Sequence, residues 1–153
     1  MTEKQYDIII LSGGFDPPHV GHIRMVQAAA KQADFVFVGC NTDDWLTRKK
    51  GYVFMSLEDR SEIMKSVKGV HAVIPFSDDD DTAIHLIKKV CALYDPRGFK
   101  VAFGNGGDRK EGNTPEQRYC ENNNIDMVWN LGGGKIRSSS DLVERYKKQT
   151  GKE

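Results

Sequence analysis

Short apolar runs alternate along the chain with longer segments in which apolar residues recur every three to four positions. The runs at 8–11 and 35–38 contain no polar residue, which is typical of strands buried on both faces of a sheet. This alternation predicts βαβ units and a parallel sheet. We therefore predict an α/β fold with an open parallel sheet and helices on both faces. Its five strands are predicted at 7–11, 35–39, 71–75, 100–103 and 126–130.

Helix start signals support this division. Ser56-Leu-Glu-Asp59 resembles a capping box, and Thr114-Pro-Glu-Gln117 has a capping residue, a proline in the first turn and a glutamine at the third position. The run of acidic residues at 78–81 precedes another predicted helix, and we interpret it as a solvated loop without a catalytic role.

Composition narrows the class of protein. A chain of 153 residues can bury a core as a single domain, which we assign to 1–153. The 22 basic and 22 acidic residues balance, so we expect neither nucleic acid nor a membrane as a partner. Three widely spaced cysteines indicate a reducing compartment. No signal peptide or membrane-spanning run is evident, and we expect a cytoplasmic protein.

The segment between the first strand and the first helix carries the main chemical signal, and it reads SGGFDPPHVGH over 12–22. Glycines after a strand let the backbone approach a ligand, and the helix behind them offers free N–H groups to a phosphate. Gly21 leaves room between His19 and His22, whose imidazoles can both donate to phosphoryl oxygens. Zinc needs three or four ligands, and neither His71, His85 nor the cysteines complete a cluster, so we predict no metal ligands.

Residues 14–22 resemble the G-x-F-D-x-x-H-x-G-H signature of the nucleotidyltransferases related to glycerol-3-phosphate cytidylyltransferase, heptose-phosphate adenylyltransferase and the pantetheine and nicotinamide adenylyltransferases. A second block at 137–143 is similar to a serine-rich or threonine-rich segment near the C-terminus of that family. The resemblance implies a Rossmann-like fold of the HIGH type. It also implies a homodimer and a Mg²⁺ ion held mainly by the nucleotide phosphates.

The resemblance also implies roles for particular residues. His19 and His22 would be catalytic together with Lys49, although the choice between Lys49 and Lys50 stays open. Asp43 and Arg60 would lie at the acceptor, and a helix-surface ion pair is the competing interpretation of Arg60. The nucleotide would contact three groups of residues, namely Gly13, Gly14, Phe15, Asp16 and Gly21; Gly107 and Asp108; and Arg137, Ser138, Ser139 and Ser140.

Loops that follow four of the predicted strands carry these residues, and ligands of open parallel sheets bind beyond the carboxyl ends of the strands. The implied reaction is direct attack of a phosphorylated acceptor on the α-phosphorus of CTP or ATP, with release of pyrophosphate. A dinucleotide-dependent dehydrogenase is excluded because the first turn does not read G-x-G-x-x-G. The chain is too short for a class I aminoacyl-tRNA synthetase. A noncatalytic nucleotide sensor remains the alternative.

Overall fold

The computed structural model describes residues 4–106, 114–133 and 139–150. Its strands and helices alternate along the chain, with one pair of consecutive helices after the second strand. In chain order the elements are β1 (Tyr6–Gly13), α1 (Val20–Gln32), β2 (Ala33–Cys40), α2 (Asp43–Lys50), α3 (Leu57–Lys65), β3 (Val70–Val73), α4 (Ile84–Leu93), β4 (Val101–Gly106), α5 (Pro115–Asn122), β5 (Asp126–Leu131) and α6 (Ser139–Thr150).

The five strands form one parallel sheet in the order β3-β2-β1-β4-β5, which confirms the predicted fold class. All five predicted strands are present, although β1 is longer at both ends and β3 ends at Val73. The helix α2 begins at Asp43, within the loop at 41–44 that was expected after the second strand, and it was not itself predicted. Ser56 and Thr114 cap α3 and α5 by accepting from the N–H groups of Asp59 and Gln117, as predicted.

The strand order places β1 at the centre of the sheet. The chain adds β2 and β3 on one side of β1 and then crosses to the other side to add β4 and β5. Successive connections therefore leave β1 and β4 in opposite directions, and a crevice opens between their carboxyl ends. Such a switch point is where ligands bind in open α/β sheets.

Two apolar clusters cover the two faces of the sheet, and alternate residues of β1 point into each. We call them the α1 face, to which Ile9 and Leu11 contribute with Met25, Val26 and Ala29 of α1, and the α4 face. On the α4 face, Ile8 and Ile10 pack with Leu86, Ile87 and Val90 of α4. The sheet is thus buried on both sides, as the unbroken apolar runs predicted. In the part of the chain described here, no helix is long and apolar enough to cross a membrane.

Candidate active site

The residues at 13–22 lie at the carboxyl edge of the sheet, where the loop after β1 leads into α1. His19 is the N-cap of α1, and His22 lies in its first turn. The Nδ1 of His19 accepts from the Gly21 N–H (3.1 Å), and the Nδ1 of His22 accepts from the His19 N–H (3.1 Å). The two imidazoles therefore form a capping box of the kind that serine and glutamate usually provide.

This arrangement fixes the tautomer of both rings. Because each Nδ1 accepts a backbone N–H, the proton of each neutral imidazole lies on Nε2. The rings of His19 and His22 stack with their centroids 3.7 Å apart, and the Phe15 ring packs edge-on against His22 at 4.7 Å. A Cβ on Gly21 would lie 2.9 Å from Cε1 of His19, so only glycine leaves space for that ring. The motif presents two fixed N–H donors at a helix N-terminus.

His22 is neutral at physiological pH. Burial lowers its pKa to about 3, and the positive charges of His19 and Lys50 contribute to this shift. A neutral imidazole that cannot release its Nε2 proton acts as a hydrogen-bond donor. The geometry thus suits binding of a phosphoryl oxygen better than general base catalysis.

The two lysines at the end of α2 have different electrostatic neighbours. The positive charge of Lys50 contributes to lowering the pKa of His22, after the larger effects of burial and of His19. Lys49 instead has its Nζ 3.8 Å from a carboxylate oxygen of Asp81. Gly51 in the left-handed conformation ends the helix directly after them. The choice between Lys49 and Lys50 therefore stays open: Lys49 pairs with Asp81, and the charge of Lys50 acts on the pKa of His22.

Asp16 lies in the loop after β1, but its carboxylate is fully buried and turned toward the segment that precedes α3. Its Oδ2 accepts from the Phe54 N–H (2.7 Å), and its Oδ1 accepts from the Met55 N–H (2.5 Å). Asp16 therefore joins the two loops. Its predicted contact with a nucleotide remains a prediction, and in this conformation both carboxylate oxygens are used within the protein.

Arg60 makes the second connection. Its side chain has no exposed surface, and its guanidinium donates to the carbonyls of Met55 (2.9 Å), Gly14 (2.7 Å) and Asn41 (2.7 Å). A fourth bond, also 2.7 Å long, goes to Asp43 Oδ1. The sequence interpretation placed Arg60 at the acceptor, with a helix-surface ion pair as the competing interpretation. Arg60 does pair with Asp43, but its guanidinium is buried beneath the loops, and its role at the acceptor remains a prediction. We call Asp16 and Arg60 the loop clamp.

Asp78 was missed by the sequence interpretation, which treated 78–81 as a solvated loop. Asp78 is fully buried and accepts from Asn41 Nδ2 (3.0 Å), the Thr42 N–H (2.9 Å) and Thr42 Oγ1 (2.7 Å). It thereby anchors the loop after β3 to the loop after β2. The sequence shows four identical residues in a row, so nothing in it distinguishes Asp78 from the three that follow. Those three are exposed in the structure.

Several predicted residues lie outside the described ranges, namely Gly107, Asp108, Arg137 and Ser138. Ser139 and Ser140 begin α6, as expected of a helix start in the second sequence block. The helix is tied to the rest of the protein by Lys147, whose Nζ lies 5.8 Å from the centre of the Tyr52 ring. The roles of all six residues at the nucleotide remain predictions.

The comparisons with known proteins agree with this geometry. The family model described as cytidylyltransferase-like matches residues 10–144, which is most of the chain. The chain belongs to the cytidylyltransferase-like family. It is a nucleotidyltransferase, and the match includes both the imidazole capping box and the start of α6.

Curated relatives include the bifunctional protein HldE of several bacteria. The chain is 32% identical over 130 residues to HldE of Haemophilus influenzae strain PittGG, covering 77% of this chain and 26% of that protein. It is 25% identical over 150 residues to HldE of Geobacter sulfurreducens, covering 95% of this chain and 28% of that protein. The chain thus spans about a quarter of the length of these relatives.

Solved structures share the fold. A bifunctional NMN adenylyltransferase/ADP ribose pyrophosphatase from Francisella tularensis matches with a TM-score of 0.69 and 17% identity, over 94% of this chain and 43% of that one. A lipopolysaccharide core biosynthesis protein from Thermoplasma volcanium matches with a TM-score of 0.60 and 20% identity, over 81% of this chain and 95% of that one. The family's nucleotidyltransferase fold is thereby shown for this chain.

Proposed function

We propose that this nucleotidyltransferase moves a nucleoside monophosphate from CTP or ATP onto a small phosphorylated acceptor, either a polyol phosphate or a sugar phosphate, and releases pyrophosphate. The observation that carries the proposal is the imidazole capping box. It holds two imidazoles at the N-terminus of α1 with their protons on Nε2, and the positive charge of Lys50 acts on His22. These donors and the helix dipole favour a polyphosphate.

The chemistry requires no covalent enzyme intermediate. An oxygen of the acceptor phosphate attacks the α-phosphorus and forms the new P–O bond. The bond between the α-phosphorus and the oxygen bridging to the β-phosphorus breaks, and its electron pair leaves with pyrophosphate. The acceptor phosphate is already anionic and needs no base, so the enzyme contributes positioning and charge neutralisation. In this proposal His19, His22 and Lys50 supply that neutralisation as charge moves to the leaving group.

A Mg²⁺ ion would be carried mainly by the triphosphate. Within residues 4–106, 114–133 and 139–150, no group of three or more histidine, cysteine, aspartate or glutamate side chains could hold a metal. Asp16 and Asp43 are used in the loop clamp. With these carboxylates engaged inside the protein, the site suits an ion whose ligands are mostly phosphate oxygens and water. Mg²⁺ commonly binds in this way. When bound, the ion would neutralise charge on the leaving pyrophosphate.

The experiment measures pyrophosphate release by the purified protein with each of ATP and CTP. Each triphosphate is paired with glycerol 3-phosphate and with mannose 1-phosphate, and the nucleotide-linked product is identified by mass. A triphosphate that binds without release in any pairing would support the noncatalytic sensor instead. Sizing of the same sample tests the homodimer, which we propose from the family resemblance alone, as we do the cytoplasmic location.

Two adjacent variants test the site assignment. We expect Lys50→Ala to lower kcat by about a hundredfold, because a charge aimed at the leaving group is lost. Lys49→Ala is the matched control, since it removes the same side chain one position earlier. If Lys49→Ala causes the larger loss, Lys49 reaches the triphosphate as the sequence first suggested, and its pairing with Asp81 is broken on binding.

A further inference from the structure

Two buried side-chain donors have no hydrogen-bond partner among the described residues. They are Nε1 of Trp45 and Nδ2 of Asn105. Leaving a buried donor unpaired costs free energy, and native proteins keep few of them. An unpaired donor next to a ligand-binding crevice is therefore a candidate for a bond that forms only with the ligand.

Asn105 lies at the switch point of the sheet. It is 6% exposed and is the second-last residue of β4. Leu11 of β1 pairs with Gly104, so Asn105 follows directly beside Ser12, at the entry to the loop that leads to His19. Ligands of open α/β sheets bind at this position.

The alternation of side chains along β4 assigns Asn105 to the α4 face, although the pairing of β4 with β5 shifts register between Gly104 and Gly106. A Cβ on Gly104 would contact Leu131, Leu11 and Ile9, which all belong to the α1-face cluster. Neighbouring residues of a strand point to opposite faces, so Asn105 shares the α4 face with Phe103. The N-terminus of α1 and its histidines lie on the other face. The crevice consequently has an α1 wall with the phosphate donors and an α4 wall with a neutral carboxamide.

Trp45 supplies the second unpaired donor near the same loop. A Cβ on Gly14 would lie 3.9 Å from Cζ3 of Trp45, so the indole packs against the backbone of the loop after β1. Both unpaired donors thus lie at the carboxyl edge of the sheet, one on β4 and one on α2.

We propose that Asn105 determines acceptor specificity by donating its Nδ2 hydrogen to an uncharged hydroxyl oxygen of the phosphorylated acceptor. This inference rests on the proposed function. A carboxamide is neutral, so it suits a hydroxyl better than a phosphate, which favours charged donors. The protonated Nε2 atoms of the histidines would supply such donors on the α1 wall. If the hydroxyl-bearing part of the acceptor binds to the α4 wall, its phosphate group is left facing the nucleotide.

The test uses Asn105→Asp, which keeps the shape of the side chain and replaces the donor by an acceptor. We expect the KM for glycerol 3-phosphate or mannose 1-phosphate to rise about tenfold or more, with the KM for the triphosphate unchanged. The Ki of propyl phosphate, which has no hydroxyl, should be the same in the variant and the wild type. Asn122→Asp on the exposed end of α5 is the control for the added charge.

A second variant guards against a change in folding. Asn105→Leu removes the donor without adding charge, and it should raise the same KM while the melting temperature stays close to that of the wild type. If the wild type turns over acceptors and both variants keep the wild-type KM for them, this inference alone is overturned. A rise in the triphosphate KM would also overturn it, since Asn105 would then contact the nucleotide. If the wild type turns over no acceptor, the proposed function fails and this inference fails with it.

Discussion

The imidazole capping box and the loop clamp lie side by side at the carboxyl edge of the sheet, yet they are built in opposite ways. In the capping box, His19, Gly21 and His22 contact one another within a single helical turn. In the clamp, Asp16 and Arg60 reach across the chain to residues 54–55 and to the carbonyls of Gly14 and Asn41. The first is a local structure built from neutral, partly buried imidazoles, and the second is a tertiary structure with buried charge.

The difference shows that orienting the donors and positioning the loops are the tasks of separate structures. A helix start of three residues can fix the tautomer and direction of two donors, because all its hydrogen bonds follow from helix geometry. It cannot hold the surrounding loops in place. That task falls to a buried guanidinium, which joins the ends of β1 and β2 to the segment before α3. The following predictions test whether the two functions separate.

The largest expected effect is the loss of stability on Arg60→Ala. The variant leaves three carbonyls, one buried and two partly buried, and Asp43 without their donor, and we expect a loss of about 3 kcal/mol in the free energy of unfolding. Chemical denaturation measures this value. Arg97→Ala, which removes an exposed arginine paired with Asp95, should change the stability little. A stable Arg60 variant with only a raised acceptor KM would instead support direct binding of the acceptor.

The next effect separates chemistry from folding. We expect His19→Ala and His22→Ala each to lower kcat about a hundredfold, because each removes a donor aimed at the transition state. The melting temperature should fall only by the small amount that corresponds to losing one helix cap. His85→Ala is the control, since His85 accepts from the Ser77 N–H away from the β1 loop. Near-normal turnover in both variants would remove the capping box from the mechanism.

The low pKa of His22 predicts a pH dependence of stability. As the pH falls below 6.5, the unfolded chain takes up a proton at His22, whereas the folded protein does so only near pH 3. Stability from this group is therefore complete above pH 6.5 and decreases toward pH 3, by at most about 1.4 kcal/mol per pH unit. Unfolding measured between pH 6.5 and 5 should show a smaller slope in His22→Asn. Equal slopes would contradict a buried neutral imidazole.

The smallest effect compares the imidazole cap with an ordinary one. Thr114 caps α5 by accepting from the Gln117 N–H (3.1 Å). Thr114→Ala should cost about 1 kcal/mol of stability and leave kcat unchanged. Together with His19→Ala, this variant separates the stabilising part of a cap from its chemical part. A lower kcat in Thr114→Ala would show that α5 also supports the active site.

Much of the fold could be predicted from periodicity and helix start signals. The four apolar residues Ile8 to Leu11 fit a short strand buried on both faces, because helical patterns of greater length flank it and can cover the sheet. Ser56 and Thr114 begin helices by their own hydroxyls. The helix α2 was missed because most of its residues are charged or polar and its start follows β2 directly. The strand order could not be predicted, because tertiary packing determines which strands lie beside β1 and no local sequence pattern encodes it.

The site was predictable to the extent that it is local. His19, Gly21 and His22 are adjacent in sequence, so their spacing alone indicated a shared site. The sequence interpretation placed Arg60 at the acceptor or in a surface ion pair and Asp78 in a solvated loop, and only the tertiary contacts show that both side chains are buried. Asn105 gave no signal either, because the absence of a partner for its amide is a property of the folded protein.

The capping box also limits how this part of the gene can change. Nδ1 of His22 reaches the backbone of His19 because one helical turn separates them. Inserting or deleting a single codon between them would rotate one ring away by about 100°, since an α-helix has 3.6 residues per turn. The helix start and both donors would then be lost together. Substitutions on the exposed face of α1 leave this spacing intact and should be tolerated. Insertions of whole codons should be tolerated in surface loops but not within 19–22, because only there do they change the spacing.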